Sequence, residues 1–345
     1  MRFDNVAVAS LAHVLADEVV SSASLEERLA PLYERFGLSG GRLELMTGIR
    51  ERRFFARGTR PSDAGTRAAE LALARAPIAR ERIELLIHAA VCRDFIEPAT
   101  ASLVHAKLGL TERAWAFDLS NACLGFANAI TVAAGQIARG DIAAALIVSA
   151  EDGRALVEST LTGLLTRTDV DRRMLKTAFA SLTIGSGAAA MILTHASLAP
   201  DAPRLVATLA RAASQHHGLC HGDHVDALGG PWMETDSEAL LVAGNALAER
   251  TFGPFLDEAG WTRASIDRVV THQVGVAHRR ALFETLGLDR SRDFPTVETL
   301  GNMGSASLPL SLSLAAETGA IRPGDRVAGL GIGSGLQCQM LALRW

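Results

Sequence analysis

Two stretches of the chain repeat one pattern: residues 184–193 read IGSGAAAMIL, and residues 332–341 read IGSGLQCQML. In both, closely spaced glycines form a tight turn that leads into an apolar strand. A second repeated pair lies upstream of these stretches, since residues 83–88 read IELLIH and residues 266–272 read IDRVVTH. Each member of this second pair follows a helical stretch and reads as a short turn and a buried strand. The two pairs occur in the same order, which predicts two similar α/β halves packed face to face.

The junction between the halves falls near residues 194–203, where Pro200 and Pro203 interrupt the pattern. We therefore expect an N-terminal half at residues 1–195 and a C-terminal half at residues 196–345. Apolar strand-like runs alternate with Ala-rich helical stretches, as expected of buried sheets covered by helices. No low-complexity segment separates the halves, so we expect one compact unit.

The composition limits the classes of function. The 345 residues carry a formal net charge of −4 and no run of Lys or Arg, which argues against nucleic acid as a partner. The N-terminus lacks an apolar signal region, and no stretch approaches the roughly 18 apolar residues of a spanning helix. We therefore expect a cytoplasmic protein that is not integral to a membrane. The four cysteines form no CxxC pair, which fits reduced thiols.

Cys123 lies where a predicted strand meets a predicted helix, in the segment FDLSNACLGF at residues 117–126. A thiol near a helix N-terminus meets the positive end of the helix dipole and free backbone N–H groups. We therefore expect its pKa to fall from about 8.5 toward neutrality, which would make Cys123 a nucleophile. The alternative is a small buried hydrophobic residue, the usual role of an intracellular cysteine.

A nucleophilic thiol that forms thioesters also needs a group to manage protons and donors for the carbonyl oxygen. His272 follows a predicted strand, and Asn302 lies in a glycine-flanked turn before a helix. Both side chains can donate hydrogen bonds to a developing oxyanion. Taken singly, each residue is as well explained by a structural role.

Four segments occur in order along the chain: NACLGF at 121–126, THQV at 271–274, GNMGSASLP at 301–309 and GIGSGL at 331–336. This series resembles the signature of ketoacyl-ACP synthase III-type condensing enzymes of the thiolase superfamily. The resemblance spans essentially the whole chain and includes TGIRERR at 47–53 near its start.

The resemblance implies an α/β thiolase fold of five layers, αβαβα, built from two similar halves, and a homodimer. It also implies a catalytic triad of Cys123, His272 and Asn302, with the backbone N–H groups of Cys123 and Gly335 binding the oxyanion. CoA or phosphopantetheine thioesters would be the substrates, presented by CoA or by an acyl carrier protein, with no separate cofactor.

Within the family, the segment CRDFIEPATAS at 92–102 is most similar to the OleA branch, the head-to-head acyl-CoA condensing enzymes of long-chain olefin biosynthesis. That similarity implies that Glu97 reaches the active site of the partner subunit. Joining two simple acyl chains without decarboxylation needs a base for a weakly acidic α-proton, and a buried Glu97 with a raised pKa would supply it. From composition alone, a solvated loop carboxylate is the simpler interpretation of Glu97.

The leading function is therefore a non-decarboxylative Claisen condensation of two acyl thioesters, which gives a 2-alkyl-3-ketoacyl thioester or a β-keto acid. The alternatives are a synthase III-type or polyketide-associated ketosynthase that uses a carrier-bound malonyl or β-ketoacyl partner, and an acyl transferase or thioesterase on the same fold. Downstream pathway enzymes are possible partners. The run HHGLCHGDH at 216–224 contains metal-ligand residue types but matches no established ligand spacing, so we expect a polar loop and no metal.

Overall fold

The structure is a computed structural model that describes residues 1–225 and 230–345. Within these residues the strands are β1 (Val6–Leu15), β2 (Glu18–Ser21), β3 (Glu51–Phe54), β4 (Leu85–Ala89), β5 (Trp115–Leu119), β6 (Ala144–Glu151), β7 (Gly187–His195), β8 (Arg204–Ala212), β9 (Cys220–Val225), β10 (Gly230–Thr235), β11 (Arg268–Thr271), β12 (Arg326–Gly333) and β13 (Gln337–Arg344). The α-helices of the same residues are α1 (Ser22–Arg28), α2 (Ala30–Phe36), α3 (Arg42–Thr47), α4 (Pro61–Arg75), α5 (Thr100–Leu108), α6 (Gly125–Arg139), α7 (Arg154–Thr166), α8 (Arg172–Leu182), α9 (Ser237–Ala259), α10 (Val276–Leu286), α11 (Val297–Leu300) and α12 (Ser307–Glu317).

The large sheet contains the repeat expected from the sequence. Its strand order is β11-β12-β13-β8-β1-β7-β6-β4-β5, and β1 pairs with β8 only at Ala7 and Arg204. Read outward from that junction, β1-β7-β6-β4 and β8-β13-β12-β11 have the same pattern, an antiparallel inner part followed by a parallel outer pair. The repeated segments of the sequence fall on equivalent strands, β4 with β11 and β7 with β13. The order of strands therefore repeats, whereas the domain boundary at residue 195 stays a prediction.

Helices complete five layers around the two parts of this sheet. Helix α4 packs on one outer face, against β1, β6 and β7, and α9 packs on the other, against β8 and β13. Helices α6 and α12 lie between the two parts, where α12 contacts β1, β7 and β11 and α6 contacts β6 and β13. One buried cluster joins this central layer to both parts of the sheet, and two further clusters lie under the outer helices. The five-layer α/β thiolase architecture is confirmed.

Helix α6 lies in the central layer and follows directly after the segment that contains Cys123. Its inner face is built of small residues, with Ala129, Ala133 and Ala134 fully buried between the sheets. Alanine has the highest helix propensity, so this face favours the helix and at the same time permits close packing. Gly140 ends the helix in the left-handed conformation at φ 78°, which glycine adopts without a steric penalty.

One sequence expectation about local structure is wrong. Residues 216–224, expected to form a polar loop, form part of a short 3₁₀ helix at Ser214–Leu219 and the hairpin strand β9, which pairs antiparallel with β10. The hairpin is held because Trp232 on β10 is buried against neighbouring helices, an anchor outside the segment itself. The expectation that no metal binds here stays a prediction.

None of the helices in residues 1–225 and 230–345 combines the length and apolar character that crossing a bilayer requires.

Candidate active site

Cys123 is presented by a strained turn between β5 and α6. Ala122 adopts φ 44°, a left-handed conformation that is rare for a residue with a side chain. The hydroxyl of Ser305 holds this turn by donating to the carbonyl oxygen of Ala122 at 2.5 Å. A Cβ atom on Gly125 would lie 2.8 Å from the same hydroxyl oxygen, so the turn requires glycine there. Ser305, a residue of the C-terminal part of the chain, thus stabilises the strained turn.

The environment of the Cys123 thiol differs from the sequence expectation. Cys123 is only two residues from the first residue of α6, as predicted. Burial nevertheless raises the pKa of its thiol to about 12, with smaller contributions from nearby Cys220 and Glu151. The expectation of a lowered pKa is therefore wrong, because desolvation and neighbouring acidic groups outweigh the helix N-terminus. The free thiol needs a proton acceptor to become a nucleophile.

His272 can accept that proton. It follows β11, and its backbone N–H donates to Leu330 on β12 at 2.8 Å, which fixes the strand end. Neither ring nitrogen has a hydrogen-bond partner in the described part of the chain, although both are buried. Burial lowers the pKa of His272 to about 4, so the imidazole is neutral at physiological pH. A neutral imidazole with free nitrogens can act as a general base.

Asn302 is held in one orientation by its own turn. Its backbone N–H donates to Thr183, and its carbonyl accepts from Gly185, both at 2.9 Å. The side-chain Oδ1 accepts from the N–H of Gly304 at 3.0 Å. Because the oxygen is occupied, the Nδ2 group is the part of the amide left to donate to a ligand.

One cavity of about 1040 Å³ brings the predicted triad together, since Cys123, His272 and Asn302 all line it. Apolar side chains, including Leu156 and Phe179, form a large share of its wall. Such a cavity is large enough for a long apolar ligand whose reactive end is held by a few polar groups.

The glycine turn that follows β12 lies beside Cys123. Gly333 and Ser334 line the cavity, and a Cβ atom on Gly333 would lie 3.6 Å from the Cβ of Cys123. Gly335, the expected donor, follows them at φ 125° and is not among the described residues that line the cavity. Its role and that of the Cys123 N–H stay predictions.

Glu97 does not reach Cys123 of its own chain. It is exposed, does not line the cavity, and lies beside two exposed apolar side chains, Phe95 and Ile96, the latter 97% exposed. Glu97 is thus exposed in the single chain, and its expected position in the active site of a partner subunit stays a prediction. Its loop is nonetheless anchored at both ends.

Two partly buried carboxylates, Asp94 and Asp118, provide this anchoring. Asp94 accepts hydrogen bonds from the N–H and the hydroxyl of Ser62, at 2.8 and 2.6 Å. Asp118 accepts from the N–H groups of Thr100 and Ala101, both at 2.8 Å, at the start of α5. The loop therefore presents Glu97 outward in a defined position.

Cys92, Glu151 and Cys220 are among the residues that line the cavity but were not assigned to the site from the sequence. Glu151 is the last residue of a buried apolar run, where an acidic residue is unusual. This is the feature of the sequence that could have identified Glu151 as a site residue. Cys220 approaches Cys123 only because the β9–β10 hairpin folds over the cavity, which no local pattern indicates.

Comparison with known proteins agrees with this geometry. The model of the 3-oxoacyl-[acyl-carrier-protein (ACP)] synthase III C-terminal region matches residues 256–345, that of 3-oxoacyl-[ACP] synthase III matches 117–212, and that of the thiolase N-terminal domain matches 44–153.

An acyl-CoA:acyl-CoA alkyltransferase of Xanthomonas campestris pv. campestris is 40% identical over 345 residues, covering 100% of both chains. A beta-ketoacyl-[acyl-carrier-protein] synthase III of Ruegeria pomeroyi is 30% identical and covers 98% of both chains. A crystal structure of cerulenin-bound Xanthomonas OleA superposes with a TM-score of 0.95 at 40% identity, covering 100% of this chain and 98% of that one.

Proposed function

Because the chain belongs to the family of thiolase-fold condensing enzymes that includes acyl-CoA:acyl-CoA alkyltransferase and beta-ketoacyl-[acyl-carrier-protein] synthase III, we propose that it condenses two acyl-CoAs without decarboxylation. One observation carries the proposal: a large apolar cavity in which a thiol, a neutral imidazole and a free amide donor face the same space. The higher identity to the alkyltransferase favours acyl-CoA for both substrates.

In the first step Cys123 becomes acylated. The imidazole of His272 takes the thiol proton as the sulfur attacks the acyl-CoA carbonyl, and CoA leaves with that proton. Backbone N–H groups near Cys123 stabilise the oxyanion. The high thiol pKa makes this proton transfer essential to the step.

In the second step a carbon–carbon bond forms. Glu97 of the other subunit removes an α-proton from a second acyl-CoA, and the side chains of His272 and Asn302 bind the enolate oxygen. The α-carbon attacks the Cys123 thioester, the C–S bond breaks, and the Cys123 thiolate takes up a proton while Glu97 releases the one it removed, so that both groups are restored. The product is a 2-alkyl-3-ketoacyl-CoA, which hydrolysis converts to the β-keto acid.

The crossing of Glu97 into a partner requires a homodimer, which is part of the proposal. Strand β5 is a free edge of the large sheet, and its Trp115 is 60% exposed. Phe95 and Ile96 are further exposed apolar side chains, and a second copy can cover exposed groups of this kind. In that dimer Glu97 would become buried.

A decarboxylating synthase that uses a carrier-bound malonyl group is the second candidate, favoured by the 30% identity to beta-ketoacyl-[acyl-carrier-protein] synthase III. Such an enzyme obtains its carbanion by loss of CO₂ and needs no carboxylate base. Glu97 therefore discriminates between the two functions.

The test is incubation of the purified protein with myristoyl-CoA alone, followed by mass spectrometry of the protein and the products. We expect an acyl adduct on Cys123 and a β-keto acid or its decarboxylated ketone. Glu97→Gln should retain the adduct and lose condensation by about 10²–10⁴-fold, the usual contribution of a general base. Glu81→Gln, which changes another exposed carboxylate, should condense normally. An adduct without condensed product in the parent protein contradicts the proposal.

Subunit mixing tests whether the base crosses the dimer. Cys123→Ala and Glu97→Gln homodimers are each expected to be inactive in condensation. Heterodimers re-formed from the two contain one site with an intact Cys123 and an intact Glu97 from the other subunit, so activity should return. Heterodimers that form and stay inactive would show that Glu97 acts within its own chain or not at all.

A further inference from the structure

Glu151 is a buried carboxylate inside the cavity that the condensation steps do not use. It ends β6, is 5% exposed, and lines the cavity with Cys123 and Asn302. Three backbone N–H groups donate hydrogen bonds to its side chain, and the thiol of Cys92 is a further hydrogen-bond partner. Oε1 accepts from Val91 at 3.0 Å and from Ser305 at 3.1 Å, and Oε2 accepts from Cys92 at 3.0 Å.

These three N–H groups belong to two separate segments. Val91 and Cys92 begin the loop that carries Glu97, whereas Ser305 belongs to the turn that carries Asn302. Ser305 also holds the strained Ala122 next to Cys123. One carboxylate therefore connects the two segments that supply the second half of the proposed reaction.

The packing around this carboxylate is close. Gly304 adopts φ 53°, and a Cβ atom there would lie 2.8 Å from Oε1 of Glu151. The turn that contains Asn302 thus lies directly against the carboxylate, with no room for a side chain at Gly304. A substitution of Glu151 should therefore shift the position of Asn302.

We propose that Glu151 is a positioning residue that fixes the Asn302 turn and the Glu97 loop relative to each other. Three N–H donors converge on it, so an acceptor-only side chain is needed. The amide of glutamine would direct its NH₂ group at one of these donors and break at least one bond. The inference rests on the proposed function, in which Glu97 serves the other subunit.

Glu151 should affect the two chemical steps to different extents. Acylation depends on Cys123 and His272. Neither bonds to Glu151, and Cys123 is linked to it only indirectly, through Ser305 and Ala122, whereas condensation depends on Asn302 and Glu97. Loosening both segments should therefore reduce condensation more than acylation. The negative charge of Glu151 also raises the pKa of the Cys123 thiol, so its removal should make the thiol more acidic.

The experiment compares Glu151→Gln with the parent protein and with Glu112→Gln, which changes an exposed carboxylate. We expect acylation by myristoyl-CoA to change less than threefold and condensation to fall at least thirtyfold. Alkylation of Cys123 by iodoacetamide should shift to lower pH. Equal losses in both steps, or an unshifted alkylation profile, would overturn the assignment.

Hydrogen–deuterium exchange gives a readout that does not depend on the reaction. In Glu151→Gln, exchange should rise in peptides that cover residues 91–99 and 301–306 together. Unchanged exchange in either segment refutes the inference even if the parent condenses acyl-CoAs. Conversely, a parent that forms no condensed product refutes the proposed function while exchange still decides the role of Glu151. If Glu151→Gln does not fold, Gly304→Ala, which crowds the same carboxylate, should produce the same pattern of exchange.

Discussion

Replacement of His272 by alanine tests how the Cys123 thiol becomes reactive. A thiol pKa of about 12 leaves about 10⁻⁵ of the thiol ionised at pH 7, and the rise from 9 corresponds to about 4 kcal/mol. The imidazole, with a pKa of about 4, is neutral above pH 5.5 and can remove the proton during attack. His272→Ala should therefore lose about 10²–10⁴-fold in the rate of acylation at pH 7.

The pH dependence gives the sharper result. In the parent protein, acylation by acyl-CoA should be nearly constant between pH 5.5 and pH 8.5, because neutral His272 is always available. In His272→Ala the rate should follow the thiolate and rise about tenfold with each pH unit. Rapid-quench mass spectrometry of the Cys123 adduct measures both profiles. Circular dichroism checks that the variant is folded.

Alkylation by iodoacetamide measures the thiolate directly, without need of a base. In the parent it should rise throughout pH 7–9 with no plateau, and His272→Ala should leave that profile in place. Cys220→Ser should move the profile toward lower pH, since Cys220 raises the pKa of the Cys123 thiol. A plateau at or below pH 7 in the parent would refute the reasoning, because it would mean that a thiolate–imidazolium pair already exists.

Two further predictions concern stability. Burial lowers the pKa of both His88 and His272 to about 4. Between pH 4 and pH 6.5 the folded protein therefore binds fewer protons than the unfolded chain. The stability is fully present above pH 6.5, and it falls by up to about 3 kcal/mol per histidine as the pH drops toward 4. Urea unfolding at pH 7.5 and pH 5 should show this loss, and His88→Gln should lose less between the two pH values. The free energy of unfolding of Gly301→Ala should be at least about 1 kcal/mol lower than that of Gly319→Ala. Both glycines have φ near 70°, but only at Gly301 would a Cβ atom meet backbone, 2.6 Å from the carbonyl oxygen of Thr183. Equal urea midpoints for the two glycine variants would contradict the steric argument.

The sequence predicted the architecture because the features that carry it are local. The turns that contain Gly185 and Gly333 and the strands that follow them recur in both parts of the chain, so internal comparison alone indicated the repeat. His272 and Asn302 could be identified for a related reason: each lies in a turn at the end of a regular element. Polar residues at such ends meet at one edge of a sheet.

The electrostatics of the site could not be predicted in the same way. The pKa of the Cys123 thiol depends on Cys220 and Glu151, which are distant in sequence and arrive on a hairpin and on a different strand. Desolvation is a property of the whole surrounding shell, whereas the helix N-terminus is a local feature. The helix N-terminus alone therefore predicted the wrong direction for the pKa shift of the Cys123 thiol. Glu97 shows the same limit, because it is exposed in the single chain and its proposed burial would need a second subunit.

The position of the nucleophile depends on contacts between the two parts of the large sheet. The side chain of Asn121, two residues before Cys123, donates to Asn128 on α6 at 2.5 Å and to Gln337 on β13 at 3.0 Å. Asn128 in turn donates to Gln339 on β13 at 2.6 Å. This chain of amides ties the cysteine segment to the strand that follows the second glycine turn. Because His272 and Asn302 also belong to the C-terminal part, the distance between nucleophile and base is set by packing across the central layer. Each half alone would carry an incomplete site, which accounts for why a duplicated fold houses a single reaction centre per chain.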